Sequence, residues 1–90
     1  MNMQSRVRRR DDPLTSHLGD DLVIFSARNG KYYGTQDAGT LIWSLIEHDS
    51  TVLDVCEGLM HAFDVDRRTC ERDVIAFLEQ LEQEGLITVH

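Results

Sequence analysis

The chain has 90 residues, of which 41% are hydrophobic, and a formal net charge of −7. A chain of this length forms one small domain and has no room for two catalytic lobes. Four of its nine cations lie within the first ten residues, so residues 11–90 combine the other five with all 16 acids, a net charge of −11. Such an acidic body repels phosphate backbones, and we therefore expect no nucleic acid partner.

Motifs for membrane insertion, metal binding and catalysis are missing from the sequence. No apolar run approaches the roughly 20 residues of a membrane span, and no apolar stretch of a secretory signal follows the basic N-terminus. We expect a cytoplasmic protein without a membrane partner, in which Cys56 and Cys70 are reduced. The four histidines do not have the spacing of metal ligands. The sequence also contains no motif of a catalytic nucleophile, no P-loop and no dinucleotide-binding motif. The expectation is therefore a protein that is not an enzyme, with no metal and no cofactor.

The N-terminal segment differs from the rest of the chain. Residues 1–13 show neither helical nor strand periodicity and end at the only proline. They are predicted to form a flexible arm in front of a domain that spans residues 14–90. The arginines of this arm could meet an anionic surface, but beside Asp11 and Asp12 a solvated tail is the simpler interpretation.

Three short strands are predicted between residues 14 and 35. Polar and apolar residues alternate over Leu14–Leu18, and residues 22–25 are a short apolar run. Asn29-Gly30 is a strong hairpin signal, and Lys31–Thr35 would be the returning strand. Three strands joined by tight turns form a meander, so the third strand lies at an edge of the sheet.

Three helices are predicted to follow the strands. Apolar residues at three- and four-residue spacing indicate a first helix that ends before Asp49. The second helix begins at a T-x-x-D capping arrangement of Thr51 and Asp54. Asp66 is placed to cap the third helix, and Gly85 can take the left-handed conformation that ends it.

The predicted fold class is α+β. The predicted elements are three strands, three helices and an extended segment over residues 86–89. This order is that of a winged helix-turn-helix with a three-stranded antiparallel sheet followed by three helices. In DNA-binding relatives of this arrangement, the third helix enters the major groove. Here the third predicted helix, counted with its caps, carries six acidic residues and three basic ones, which are Arg67, Arg68 and Arg72. A winged-helix DNA-binding regulator is therefore kept only as an alternative.

The third predicted strand points to peptide binding instead. An edge strand presents unpaired N–H and C=O groups, and an extended peptide can complete the ladder. Lys31–Thr35 would supply this ladder, with Tyr32 or Tyr33 as a wall beside it. The alternative is that both tyrosines pack on the core and that Lys31 protects the edge. An uncovered edge also favours self-pairing, so a homodimer through edge strands is a further expectation.

The third predicted helix carries an apolar residue outside its narrow core stripe. Ile75 lies about 100° round the helix from Val74. It could line a groove beside the strand, together with Leu78, Glu71 and Arg72. The alternative is an isolated exposed apolar residue, which is common on protein surfaces.

These segments resemble the PqqD-like proteins. Residues 30–36 (GKYYGTQ) and 38–43 (AGTLIW) are similar to that family's G-x-Y-Y-x-L-N…A-x-x-I-W signature. Residues 63–66 (FDVD) are similar to its Y/F-D-V-D turn. Residues 73–86 are similar to its D-V-x-x-F-L-x-x-L-x-x-x-G-L pattern. The resemblance covers roughly residues 14–89.

The resemblance implies a recognition element for ribosomally made precursor peptides (RiPPs). Such an element binds the precursor's leader peptide without catalysis, by adding it as a strand to the edge of the third strand, and delivers it to a separate modifying enzyme. A stand-alone chain looks most like the leader-binding proteins of lasso-peptide clusters, which serve a leader peptidase. The alternative is the peptide chaperone of the pyrroloquinoline-quinone pathway, which serves a radical SAM enzyme.

The implied peptide-binding residues come from the third strand and the third helix. They are Lys31, Tyr32, Tyr33, Gly34, Thr35, Glu71, Arg72, Val74, Ile75 and Leu78. Within this set, Arg72 is the partner expected for an acidic residue of the leader.

Overall fold

A computed structural model describes residues 1–90 as six strands and three helices. The strands are β1 (Arg6–Arg9), β2 (Leu14–Leu18), β3 (Asp21–Ser26), β4 (Lys31–Thr35), β5 (Ser50–Thr51) and β6 (Ile87–Val89). The helices are α1 (Ala38–Leu45), α2 (Val52–Ala62) and α3 (Arg67–Gln83). The predicted α+β class, with a three-stranded sheet followed by three helices, is confirmed.

The first sheet is the predicted meander, with strand order β2-β3-β4 and antiparallel pairing throughout. Its inner face carries the buried residues Leu22, Ile24 and Ser26, spaced two apart as the pleat requires. On its outer face the rings of Phe25 and Tyr32 lie 4.7 Å apart. β4 pairs with β3 on one side only, so its other edge is free.

A second sheet, with order β5-β1-β6, corrects the prediction for the N-terminus. Residues 6–9 form the central strand of this sheet, and Val7 pairs with Ser50 on one side and Val89 on the other. The Val7 side chain is fully buried. The prediction of a flexible arm is therefore wrong over residues 6–9, while the domain boundary at residue 14 stays a prediction. A strand with one buried residue has almost no period-2 signal, and its partners lie far away in the sequence.

The helices begin and end close to the positions that were predicted from their capping residues. Thr51 and Asp54 form a complete capping box at the start of α2, and Asp66 accepts a hydrogen bond from the Thr69 amide at the start of α3. Gly85 follows α3 with φ 71°, and the Leu86 amide donates to the Leu81 carbonyl at 3.0 Å. This Schellman-type ending turns the chain into β6.

One hydrophobic core joins the two sheets and the three helices. Its largest fully buried side chain is Trp43 of α1, whose Nε1 donates to Thr15 Oγ1 of β2 at 3.0 Å. Arg9 of β1 lies over the Trp43 ring, 5.3 Å from its centroid. None of the helices has the length and apolar character needed to cross a lipid bilayer. Core residues of α1, α3 and the meander sheet thus belong to one cluster.

Candidate functional site

β4 approaches α3, and the edge of β4 away from β3 is unpaired. Tyr33 and Thr35 pair with the buried residues Ile24 and Leu22, so their side chains share the inner face of the sheet. The Tyr33 hydroxyl donates to Glu84 Oε2 at 2.8 Å, beyond the end of α3. This bond ties the middle of β4 to the end of α3, and an opening lies between the strand and the helix near Thr35, at the C-terminal end of β4.

An apolar groove of about 630 Å³ fills that opening. It is lined by the end of β4, the loop that follows it, the start of α1, the end of α2 and one flank of α3. The lining residues are Gly34, Thr35, Gln36, Asp37, Ala38, Gly39, Ile42, Leu59, Phe63, Val65, Cys70, Asp73, Val74 and Phe77. A groove of this size is within the range that holds a small ligand or a few side chains.

Gly39 keeps the floor of the groove open. A Cβ atom at this position would lie 3.1 Å from Thr35 Cβ and 3.5 Å from Phe77 Cζ. Thr35 is itself held in place, since its hydroxyl is 3.0 Å from that of Thr40 on α1. The strand end, the start of α1 and the Phe77 ring therefore approach one another around Gly39, which has no side chain.

The charged side chains that line the groove are both acidic. Asp37 has φ 51° at the start of α1, and its side chain makes no capping hydrogen bond. Asp73 lies on α3 and accepts a hydrogen bond from Nε of the exposed Arg72 at 3.2 Å. No Lys, Arg or His side chain lines the groove. The groove therefore combines an apolar interior with two carboxylates.

The structure places the predicted site residues in three groups. Gly34, Thr35 and Val74 line the groove. Lys31, Tyr32 and Tyr33 lie on β4 beyond the groove, where Tyr32 is 74% exposed on the outer face and Tyr33 is half-buried. Glu71, Arg72, Ile75 and Leu78 lie on α3 outside the groove lining.

The open groove does not lie beside Ile75, whereas the peptide-binding role of Ile75, Glu71 and Leu78 stays a prediction. The groove runs along one side of α3, formed by Cys70, Asp73, Val74 and Phe77, which we call the groove flank. Another side of the same helix, formed by Glu71, Ile75 and Leu78, does not line the groove, and we call it the closed flank. Leu78 is fully buried, and Ile75 is half-buried and packs against the core. Glu71 pairs with Arg67 of the same helix at 3.6 Å. The closed flank therefore borders no open groove, although Ile75 and Glu71 remain partly exposed.

Sequence reasoning missed most of the groove lining. The sequence analysis assigned no binding role to Phe77 or Asp37, both of which line the groove. The spacing of Cys70, Asp73, Val74 and Phe77 does place them on one face of a helix. No sequence signal distinguishes the part of such a face that the fold leaves uncovered.

The two cysteines are poor nucleophiles. Burial raises the pKa of the Cys56 thiol to about 12 and also raises the pKa of the Cys70 thiol. Cys70 lines the groove, but its sulfur donates to the Cys56 carbonyl at 3.7 Å. Both residues therefore act as small core side chains at neutral pH.

Comparison with known proteins identifies the family. The family model described as Coenzyme PQQ synthesis protein D (PqqD) matches residues 21–87. The chain belongs to the PqqD family. This confirms the resemblance found in the sequence. No protein in a curated set of sequences matches the chain.

Two solved structures share the fold of this PqqD-family chain. One is TbiB1 in complex with the TbiA(beta) leader peptide, at 30% identity and a TM-score of 0.81, covering 89% of this chain and 93% of that one. The other is a lasso peptide synthetase B1 complexed with the leader peptide, at 25% identity and a TM-score of 0.78, covering 91% of this chain and 96% of that one. Both similar structures are leader-peptide complexes.

Proposed function

We propose that this PqqD-family protein binds the leader segment of a ribosomally synthesised precursor peptide. The leader adds as a strand to the free edge of β4, and its inward side chains enter the apolar groove. The protein performs no chemistry on the peptide and presents it to a leader peptidase or another modifying enzyme of the lasso-peptide type. The site of action is the cytoplasm, where precursor synthesis takes place.

The observation that carries this proposal is the meeting of an unpaired strand edge with an open groove. A peptide strand paired with β4 directs every second side chain to the inner face, the face on which Tyr33 and Thr35 lie. Near Thr35 that face opens into the groove lined by Val74 and Phe77. Backbone pairing then provides general affinity, and the groove selects among side chains.

The energies are sufficient for a specific complex. A few ladder hydrogen bonds contribute about 1 kcal/mol each, and two or three buried apolar anchors about 1.5–3 kcal/mol each. Ordering a flexible leader costs several kcal/mol against this gain. The expected dissociation constant lies between roughly nanomolar and micromolar, or about −12 to −8 kcal/mol.

Fluorescence polarisation with a labelled leader tests the proposal. The probe is the fluorescein-labelled leader of the precursor peptide encoded beside this chain's gene, and a scrambled leader of the same composition is the control. We expect saturable binding of the first and at least tenfold weaker binding of the second. Equal binding of the two peptides, or none by the native leader, would overturn the proposal.

Amide hydrogen exchange tests the strand addition separately. Since one edge of β4 is free, alternate amides within Lys31–Thr35 are open to solvent in the unbound protein. We expect those amides to gain protection when the leader binds, while the amides of β2 stay unchanged. Protection of β2 alone would place the leader on the other edge of the sheet.

The partner enzyme is the second part of the proposal. The match to the family described as Coenzyme PQQ synthesis protein D favours one alternative, a peptide chaperone for a radical SAM enzyme. Co-purification of the leader-bound protein with each enzyme encoded nearby distinguishes a leader peptidase partner from a radical SAM partner. Stable capture of a leader peptidase supports the lasso-peptide type, and capture of a radical SAM enzyme supports the alternative.

A further inference from the structure

We propose that β2 pairs with the β2 strand of a second copy of this chain, antiparallel and centred on Ser16. The two meander sheets then join into one six-stranded sheet across a two-fold axis. Because the strand order is β2-β3-β4, both β4 strands lie at the outer ends of that sheet, and each keeps its free edge. This dimer does not depend on what β4 binds.

β2 is the second free edge of the meander sheet. It pairs with β3 on one side only, and all five of its side chains are exposed. Edge strands are commonly protected from self-pairing by a lysine, an acidic residue or a proline. β2 contains none of these, whereas β4 begins with Lys31. An open depression beside Thr15 and His17 leaves room next to the strand.

The unpaired backbone groups of β2 belong to Thr15 and His17. The ladder with β3 closes at the pair Leu18–Asp21 across a two-residue turn, and bonded and non-bonded pairs alternate from there. Thr15 and His17 fall on the non-bonded pairs, so their N–H and C=O groups point to the free edge. When two copies pair about Ser16, each Thr15 faces a His17 of the other copy, and each such pair exchanges two hydrogen bonds.

The sequence of β2, LTSHL, is self-complementary about Ser16. In an antiparallel pair centred there, Leu14 of one copy lies opposite Leu18 of the other, on the outer face of the sheet. In the single chain these leucines are exposed, at 66% and 63%. A pair centred on Thr15 or His17 would place each leucine opposite a polar residue instead. The match of leucine with leucine therefore favours a second copy as the occupant, in this one register.

The contact itself brings no like charges together. His17 is the one titratable residue of β2, and it faces Thr15 of the other copy. Asp11 and Asp12, which precede the strand, are each paired at 3.4 Å with an arginine of their own chain, and Asp20 lies in the turn beyond it. The contact is short, and the net charge of −7 on each copy repels at longer range, so we expect a weak dimer with a micromolar dissociation constant.

Sedimentation velocity of the full chain at about 0.15 M salt tests the proposal. The screening length there is about 8 Å, so charges that face each other across a strand pair still interact, while more distant ones are largely screened. The matched variants are Leu14→Glu/Leu18→Lys and Leu14→Lys/Leu18→Lys. In the proposed register the first places opposite charges across the strand pair, and the second places like charges there.

We expect the wild-type protein to shift from monomer to dimer as its concentration rises from roughly 1 to 300 µM. Leu14→Glu/Leu18→Lys should dimerise within about fivefold of the wild type, and Leu14→Lys/Leu18→Lys at least about tenfold more weakly than Leu14→Glu/Leu18→Lys. The added lysines make the second variant less acidic, so overall charge repulsion cannot explain a weaker association. Circular dichroism checks that both variants are folded.

A wild-type chain that stays monomeric over this range, or two double variants that associate equally, would overturn the inference. Leu14→Lys/Leu18→Lys should bind the labelled leader as tightly as the wild type, because the leader site on β4 is untouched. Loss of leader binding in this variant would mean that the leader, rather than a second copy, occupies β2. Failure of the leader to bind the wild-type protein would remove the proposed function and leave the dimer in place.

Discussion

The two flanks of α3 are both apolar, but only one of them faces an open groove. On the closed flank, Leu78 is fully buried and Ile75 packs against the core. On the groove flank, Phe77 is half-buried and borders the open space beside β4. The difference comes from the neighbours of the helix. Ile75 and Phe77 are both half-buried and pack against the core, but only Phe77 also borders the groove.

Truncating one apolar residue on each flank of α3 is the most direct test of this difference. We expect Phe77→Ala to weaken leader binding about 10- to 100-fold, since the groove loses an aromatic wall worth about 1.5–3 kcal/mol. Ile75→Ala, the matched change on the closed flank, should alter binding less than threefold. Fluorescence polarisation with the labelled leader measures both. A larger effect at Ile75 would move the site back to the closed flank.

Filling the groove floor is expected to have the next largest effect. Gly39→Ala places a Cβ 3.1 Å from Thr35 Cβ and against Phe77, which narrows the groove where the strand meets α1. We expect binding to weaken about fivefold, which corresponds to about 1 kcal/mol. Thermal unfolding followed by circular dichroism is the control, because the added Cβ could also destabilise the start of α1. A loss of binding that is matched by a loss of folded protein would argue against a specific narrowing.

The bond that ties β4 to α3 is expected to have a smaller effect, on stability. Tyr33→Phe removes the 2.8 Å hydrogen bond to Glu84, and we expect the free energy of unfolding to fall by about 1 kcal/mol. Tyr32→Phe, on the exposed outer face, should change it by less than about 0.5 kcal/mol. Urea unfolding followed by circular dichroism measures both. Equal values would mean that the Tyr33 bond does not hold the strand over the helix.

The smallest expected effect concerns the pH dependence of stability, which involves Asp66, the N-cap of α3. Hydrogen bonds from Thr69 lower the pKa of Asp66 below its ordinary value of 3.8. The ionised cap therefore stabilises the fold above that value, and its contribution is lost as the pH falls through the lowered pKa. We expect Asp66→Asn, which retains capping ability, to flatten the dependence of the urea midpoint on pH below about 4. An unchanged profile would show that other carboxylates dominate acid unfolding.

Much of the fold was predictable because its signals are local. The hairpin at Asn29-Gly30, the capping residues Thr51 and Asp66, and the stop at Gly85 each act within a few residues of the chain. The strand over residues 6–9 was not predictable in this way. Its partners lie more than forty residues away on one side and about eighty on the other, and pairing over such distances leaves no local pattern.

The candidate site likewise has features that were predictable from the sequence and features that were not. Composition and local patterns were enough to predict an acidic one-domain chain, a meander that ends in an edge strand, and a third helix with an apolar stripe. They could not predict that Phe77 borders the groove and Ile75 does not, or that Asp37 and Asp73, far apart in the sequence, line the same groove. Periodicity states which side chains of an element lie together, but their exposure depends on what the rest of the chain packs against them.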